Sequence, residues 1–430
     1  MTADHAAATH TRSQTAVQPS DVLFPLGLGT ALSLMGDATM YAVLPTHTDA
    51  AGISLGAVGV MLGVNRAVRL FTNGPAGVLY DRSSRRRLFV AALFLGALST
   101  ALYAATQGFW PLLLARMLWG VAWSGIWVGG ATMILDVAGA ETRGRWTGMY
   151  QIWFFIGQTL GAFGGGTLTD WMGYHRAMWI GAALTALGGL VALFMLPETR
   201  DARTANEPDT ANVEAGDAGT MDTDADDGDG QSGARVPGLW RNAGLWHAIS
   251  LQGVNRFVIS GVLAATLGLR IQDWAQSAGL ELGVATLTGL MIAGQTLLSM
   301  GAAPLAGTVS DRVGNRWIVA AWGLGLGFAG MALLAWGVPA ALLIGVAVIA
   351  LTRGSIQSLA TILTGDLVAP DQRGRAIGLL HTVGDFGSAI GPTIAYALMP
   401  WLDLRAIYLI GAALFVLPLI PTLTQASTGD

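Results

Sequence analysis

The chain contains no cysteine, and all 23 of its basic residues are arginine, lysine being absent. Without thiols there are no disulfides, iron–sulfur clusters or thiolate zinc sites. Without a lysine amine there is no Walker-type phosphate loop, which sets lysine on the nucleotide phosphates, and no retinal or pyridoxal Schiff base. Lineage bias explains the missing lysine as simply as any function does. Charge of either sign is scarce: 12% of 430 residues are charged against 53% hydrophobic, and the mean hydropathy is +0.53. That balance is too apolar for one soluble domain. The net charge of −4 arises mostly in one acidic stretch, and nothing indicates a nucleic-acid surface. No metal cluster, nucleophile–base spacing or nucleotide loop stands out, so neither an enzyme nor a cofactor is expected.

What is abundant is long apolar sequence. A bilayer-crossing helix needs about 20 mostly apolar residues. On that measure spans are predicted at 22–45, 54–79, 87–106, 109–134, 146–168 and 177–196, then at 246–269, 284–307, 316–336, 339–364, 375–399 and 405–423. Strands of a membrane barrel would be about half as long and alternate in polarity, which these segments do not. The expected fold is an all-α membrane protein of twelve transmembrane helices in two pseudo-symmetric six-helix bundles. Residues 1–21 read as a disordered polar tail rather than a signal peptide, 22–196 as the first bundle and 244–423 as the second. The stretch 197–243, with Asp222, Asp224, Asp226, Asp227 and Asp229, reads as a mobile acidic linker, and 424–430 as a second tail.

The division into sixes follows from repetition. Gly77-Val78-Leu79-Tyr80-Asp81-Arg82, followed by Arg85, Arg86 and Arg87, returns 230 positions later as Gly307-Thr308-Val309-Ser310-Asp311-Arg312, followed by Gly314 and Arg316. The same offset carries Asp136 onto Asp366, Arg143-Gly144-Arg145 onto Arg373-Gly374-Arg375, and Gly161 onto Gly391. Repeated halves in a hydrophobic chain mark a carrier whose site lies between them. With both termini cytoplasmic, Arg82, Arg85, Arg86, Arg143, Arg145, Arg312, Arg316, Arg373 and Arg375 fall inside, while only Arg176, Arg270 and Arg405 fall outside. The positive-inside rule then sets the orientation of a multi-pass protein of the cell membrane.

Ionisable groups within spans are costly and mark pathways. Here they are Asp37, Arg66, Arg69 and Arg116 in the first half, and Arg256, Arg353, His381 and Asp385 in the second. Asp37 lies about 12 Å below the outer end of its helix by the helical rise, and Arg116 at a similar depth, so the two can pair. A carboxylate held between burial and an arginine changes proton affinity as its surroundings open and close, which suits proton coupling. Arg353 and Asp385 both lie about 16 Å from the inner face. His381 stands one turn before Asp385, so either a titrating His–Asp couple or a fixed ion pair joining two helices is expected there. Five arginines against two aspartates favour an anionic, zwitterionic or neutral amphipathic ligand over a cation.

Gly-Val-Asn-Arg occurs at 63–66 and again at 253–256, not related by the 230 offset. These arginines either clamp a carboxylate or phosphate together or serve the packing of their own halves. Trp119, Trp123 and Trp127 share a helix face with Arg116 and lie too deep for an interfacial belt. They form either a cavity wall or a lipid-facing surface. Gln151 and Gln158 are further candidates for hydrogen bonds to a ligand. Asp81 and Asp311, at helix ends, can meet the N-terminus of a neighbouring helix or nearby arginines and latch one conformation. Asp81, Arg82, Arg86, Asp311, Arg312 and Arg316 are accordingly assigned to gating.

With these motifs the chain resembles the major facilitator superfamily over nearly all its length. The two loop motifs resemble that family's signature between its second and third helices and its pseudo-repeat between the eighth and ninth. Arg116-Met117-Leu118-Trp119-Gly120 resembles the fourth-helix motif of the drug–proton antiporter branch, whose arginine is implied in proton coupling. Gly157-Gln158-Thr159-Leu160-Gly161-Ala162-Phe163-Gly164-Gly165 resembles that branch's fifth-helix motif, with Ala162 in place of the usual proline. Ser84 likewise replaces a usual glycine in the first loop.

The resemblance implies bundles that rock around a central cavity. The reading is proton-coupled efflux of a small amphipathic compound by a monomer in a lipid bilayer, coupled through Asp37 and Arg116 with His381 and Asp385 as a second couple. Arg66, Arg256, Arg353, Trp119, Trp123, Gln151 and Gln158 are the candidate substrate contacts. The alternatives are a transporter or exchanger of an anionic metabolite, or a lipid-headgroup flippase.

Overall fold

A computed structural model describes residues 17–139, 141–200, 241–277, 279, 283–369 and 372–428. Most of the tail read over 1–21 and of the linker read over 197–243 lies outside these residues. Inside a bilayer every backbone N–H and C=O must be satisfied within the segment, which leaves helices as the simplest solution for apolar runs of this length. Among the described residues the chain is helical throughout, in twelve long elements. The first bundle holds α1 (Pro19–Val43), α2 (Leu55–Arg82), α3 (Arg85–Ala105), α4 (Phe109–Val137), α5 (Arg143–Met172) and α6 (Tyr174–Met195). The second holds α7 (Ala243–Ser277), α8 (Val284–Val313), α9 (Arg316–Trp336), α10 (Pro339–Asp366), α11 (Arg373–Leu398) and α12 (Leu404–Thr428).

The ends of these helices are written locally. Pro19 and Pro339 occupy first-turn positions where a missing N–H costs nothing. Ser84, Asn242 and Asn315 cap α3, α7 and α9 by accepting from backbone N–H groups of the first turn. Gly314 and Gly337, with φ of +74° and +81°, stop α8 and α9 in the left-handed conformation that glycine adopts without strain. Three boundaries depart from the sequence reading. α1 begins at Pro19, within the stretch read as tail, and α12 runs on to Thr428 through the stretch read as a second tail. Residues 197–200 of the linker are fixed against α3, as described below.

Ten of the twelve helices are long and apolar enough to cross a membrane by composition alone. The two that fall short, α5 and α11, are equivalent under the 230 offset. Each is walled in by protein: α5 packs between α1 and α8, and α11 between α2 and α7. Tyr150 of α5 and Asp385 and Ser388 of α11 are buried against other helices. Large apolar side chains cover the outside. Trp110, Trp171, Trp336 and Trp401 are exposed at helix ends on the side away from the arginine-rich loops, as an interfacial belt requires.

The bundles meet along α2 with α11 and α5 with α8. Both crossings are glycine contacts near the arginine-poor end. A Cβ built on Gly59 would stand 2.6 Å from the Pro392 carbonyl oxygen, and one on Gly289 would stand 2.1 Å from that of Ala162. Gly63 against Ala389 and Gly166 against Ala285 extend the two seams. Without a solvent-driven apolar force in lipid, close backbone approach of this kind is what holds helices together. Toward the arginine-rich end the helices diverge: a Cβ at Gly74, Gly77, Gly301, Gly307, Gly374 or Gly378 would meet nothing within 4 Å. The molecule is thus sealed at the arginine-poor end and open at the other.

Candidate substrate site between the bundles

The two Gly-Val-Asn-Arg tetrads converge on α11 from opposite sides. In α2, Gly63 lies against Ala389 of α11; in α7, Gly253 lies against Val383, and its carbonyl approaches Gly387. The arginines that follow both reach α11. Arg66 donates to the carbonyls of Ser388, at 3.1 Å, and of Ser260 in α7, at 2.5 Å. Arg256 donates to Asp385 at 3.2 Å. The sequence left open whether these arginines act together or separately, and the structure brings them to one place.

Asp385 receives a second bond from across the bundle boundary, from Arg69 at 3.1 Å. The partner expected from depth was Arg353. The structure differs because depth fixes height along a helix and not direction around it. Arg353 is half-buried and bonds no carboxylate among the described residues, though it lies within electrostatic reach of Arg256 and Arg66. His381 is exposed and makes no hydrogen bond to Asp385. Two guanidiniums therefore hold one carboxylate at mid-depth, with those of Arg66 and Arg353 within electrostatic reach of Arg256. Around them, Arg69 Nε, Arg256 Nε, Gln252 Oε1, Asn255 Oδ1 and Ser260 Oγ are buried without a hydrogen-bond partner. Buried polar groups normally find partners, and two of these five are cationic donors.

α7 departs from α-helical geometry at this point. Residues Arg256–Leu263 form a π-helical stretch, and Ser260, whose carbonyl takes Arg66, lies in it. Such stretches cluster at functional sites because they redirect backbone groups.

The second buried cluster lies within the first bundle. Asp37 of α1 and Arg116 of α4 form the ion pair expected from their depths, with Nη1 to Oδ1 at 2.6 Å. Arg116 also donates to the Met61 carbonyl at 2.8 Å, and Asn65 donates to Asp37 at 3.5 Å. Tyr41 links this pair to the central cluster. Its ring lies 5.0 Å from the Arg66 guanidinium and 5.7 Å from that of Arg116, within the reach of cation–π attraction.

In the first half, the pairing expected in the arginine-rich loops is made by Arg85 with Asp136 rather than by Asp81, Arg82 or Arg86. Asp81 and Arg82 are exposed, and the Arg86 guanidinium donates to the Leu193 carbonyl. The buried cation is Arg85, the first residue of α3, which grips Asp136 at the end of α4 with both Nε and Nη2. Thr199 donates to the same carboxylate at 3.0 Å. Glu198 lies over the start of α3, accepting from the Ser84 hydroxyl and from the backbone N–H groups of Arg85 and Arg86. Burial pushes its carboxyl up, but hydrogen bonds from Ser84 and from the N–H groups of Arg200, Arg85 and Arg86 outweigh this and hold it below the usual carboxylate range.

In the second half, Arg316 opens α9 and binds Asp366, with Asp311 at 3.9 Å. Arg312 is exposed. Arg316 thus fills the role of Arg85, although the 230 offset aligns it with Arg86. The second loop carries one residue more before its helix, turning at Gly314, and the offset becomes 231 across that helix.

The Major Facilitator Superfamily profile matches residues 26–287 and 245–424, together nearly the whole chain. This chain belongs to the major facilitator superfamily. Over 170 residues it is 30% identical to a probable 4-methylmuconolactone transporter of Cupriavidus pinatubonensis, covering 38% of this chain and 39% of that one. Over 179 residues it is 28% identical to the class C tetracycline resistance protein of Escherichia coli, covering 40% and 44%. The chain thus matches about two-fifths of the length of these relatives. Among solved structures, a variant of the nucleoside transporter NupG superposes with a TM-score of 0.74 at 15% identity over 94% of this chain and 99% of that one. A bacterial homologue of the lysosomal transporter Spinster gives 0.68 at 14% identity, covering 95% of each. Its helices have the arrangement of the major facilitator fold, and ten of them are long and apolar enough to cross a membrane.

Within that fold the remaining candidates fall in different places. Trp119 and Trp123 face neither a chamber nor lipid. They are buried in the first bundle, with Trp119 3.0 Å from where a Cβ on Gly96 would stand. They stack in series with Trp127, which stacks on Tyr150. Glycine at 96 leaves room for an indole, so the tryptophans fill the bundle core. Gln151 and Gln158 are half-buried on α5 and make no hydrogen bond among the described residues. Arg69, Tyr41, Arg85 and Glu198 make close contacts, and the sequence reading gave none of them a part in the site.

Proposed function

We propose that this transporter carries a small amphipathic organic anion across the cell membrane by alternating access, outward, with the arginine-rich end cytoplasmic and a proton gradient as the driving force. The observation that carries the reading is the meeting of Arg69 and Arg256, from opposite bundles, on the one carboxylate of Asp385, with Arg66 and Arg353 within electrostatic reach of Arg256. Guanidinium groups match carboxylate and phosphate geometry, and a site with this excess of positive charge repels organic cations. Alternating access is supported by the seal at one end and the divergence at the other, since rocking the bundles about the central cluster exchanges the two. Tetracycline resistance proteins among the relatives favour efflux.

Proton coupling is assigned to Asp37 and Arg116. Their pair is buried and touches the substrate cluster through Tyr41, which faces both Arg116 and Arg66. A change of charge at one cluster is therefore felt at the other at short range and low dielectric.

The test is ligand competition on purified protein. Organic carboxylates should raise thermal stability and compete with one another, and organic cations should do neither. Stabilisation by cations alone overturns the reading.

A further inference from the structure

We infer that Asp385 is the chain's own substitute for the acidic group of the substrate, seated between Arg69 and Arg256 so that the unloaded carrier can close and return. The inference rests on the anionic substrate proposed above and adds a role for one residue. It follows from three features of the site.

The first is position. Arg69 belongs to the first bundle, and Arg256 and Asp385 to the second, so the carboxylate completes a bridge across the moving boundary. Without it, closing the seam would press unneutralised guanidiniums together in a dry interface, and like charges at that range repel strongly. The second is incomplete engagement. Each arginine gives Asp385 one bond, at 3.1 and 3.2 Å, longer than the usual charge-assisted distance of about 2.7–2.9 Å. Nε of both is left without a partner, so a free carboxylate that engages an arginine through two donors gains bonds that Asp385 does not make. The third is access. The three side chains retain 11–24% exposure, on the side where the helices diverge, and Arg353, which bonds no carboxylate among the described residues, lies within electrostatic reach of Arg256.

A substrate anion entering from the open end therefore displaces Asp385 and takes over the bridge. The loaded and unloaded carriers both close, each with an anion between Arg69 and Arg256. That arrangement permits net transport rather than exchange alone.

The experiment compares wild type with Asp385→Asn in proteoliposomes, using benzoate as the anion and measuring net flux into empty vesicles and exchange between loaded ones. The ratio of net flux to exchange should fall about tenfold or more, the scale of one lost charged pair, while benzoate binds D385N more tightly than wild type. Nitrate is planar like a carboxylate but carries no proton near neutral pH. Added to the D385N vesicles, it should restore net flux by filling the empty seat. Asp385→Glu should keep most net flux.

Net flux and exchange falling together, with no rescue by nitrate, would indicate a structural role and overturn the inference. So would a loss that only protonatable anions repair, which would mark Asp385 as a proton site. If benzoate and other carboxylates neither bind nor move in wild type, the anionic reading itself has failed.

Discussion

Gly59 of α2 and Gly289 of α8 stand at equivalent places in the two repeats, and each lays its α-carbon against a backbone carbonyl of the opposite bundle, Pro392 for one and Ala162 for the other. Pro392 and Ala162 are equivalent under the same offset. The seal at the arginine-poor end is thus one contact made twice. Replacing either glycine by valine puts a branched side chain where the partner backbone runs. Overpacking costs about 1–3 kcal/mol, so the sealed form should fall by roughly one to two orders of magnitude relative to the open one. Because the chain has no cysteine, a single cysteine introduced at Ala285, buried against Gly166 in the seam, reports this directly. G59V and G289V should raise its labelling by an impermeant thiol reagent, and unchanged labelling would show that the seam tolerates side chains.

The seal also has a polar clasp. Asp170 at the end of α5 accepts from the backbone N–H and the hydroxyl of Thr286, at 2.7 and 2.6 Å, in the first turn of α8. A carboxylate at a helix N-terminus is favoured by the unsatisfied N–H groups and the helix dipole. Asp170→Ala should weaken closure by about 1 kcal/mol, read with the same labelling assay as a several-fold rise. A loss of closure as large as that in G289V would mean the clasp, not the glycine seam, holds the bundles.

In the arginine-rich loops, Arg85 and Arg82 separate structure from surface. Removing one member of a buried ion pair costs about 3–5 kcal/mol. Arg85→Met, which takes the buried cation from Asp136, should therefore lower the melting temperature of detergent-solubilised protein far more than Arg82→Met, whose site is exposed and whose cost should stay within about 0.5 kcal/mol. Equal effects would contradict the placement.

Glu198 provides a pH signature. Its folded value lies below the ordinary 4.5, so the folded state favours the ionised form. The stability it adds is present above the unfolded value and is lost as pH falls through the folded one. The melting-temperature gap between wild type and Glu198→Gln should be full near neutral pH and shrink as pH drops below 4.5. A gap that widens in acid would reverse the sign.

Asp37→Asn leaves Arg116 buried with the Met61 carbonyl as its main acceptor. Uphill, proton-driven transport should fall at least tenfold while downhill exchange persists, measured with and without an imposed pH gradient. Uphill transport at the wild-type rate would remove Asp37 from coupling.

Much of this fold was legible because apolar length and a 230-residue repeat are properties of sequence alone. The Asp37–Arg116 pair was legible as well, since both residues lie at one depth on neighbouring helices. Asp385 was harder. Several arginines share its depth, and the choice among Arg69, Arg256 and Arg353 depends on the direction each side chain takes around its helix. Arg85 was masked by the extra residue at Gly314, which shifts the second loop by one and aligns Arg316 with the wrong arginine of the first. Gly59 and Gly289 were hidden among 59 glycines, most of which give no sign of which neighbour they touch. The tryptophans misled because a deep indole suits a ligand wall and a bundle core equally until the partner, Gly96, is known.

The π-helical stretch of α7 divides that helix between two allegiances. Its first part is tied to the second bundle, where Asn242 donates to the Leu367 carbonyl and Gly253 meets α11. Beyond the stretch, Gly268 packs between Thr288 of the second bundle and Thr46 of the first, and Ser260 within it is tethered to Arg66. A widened turn is where a long helix bends at least cost. When the bundles rock, α7 therefore works as a knuckle rather than a rod, flexing where Ser260 ties it to the opposite bundle while Arg270 keeps its outer end on α9.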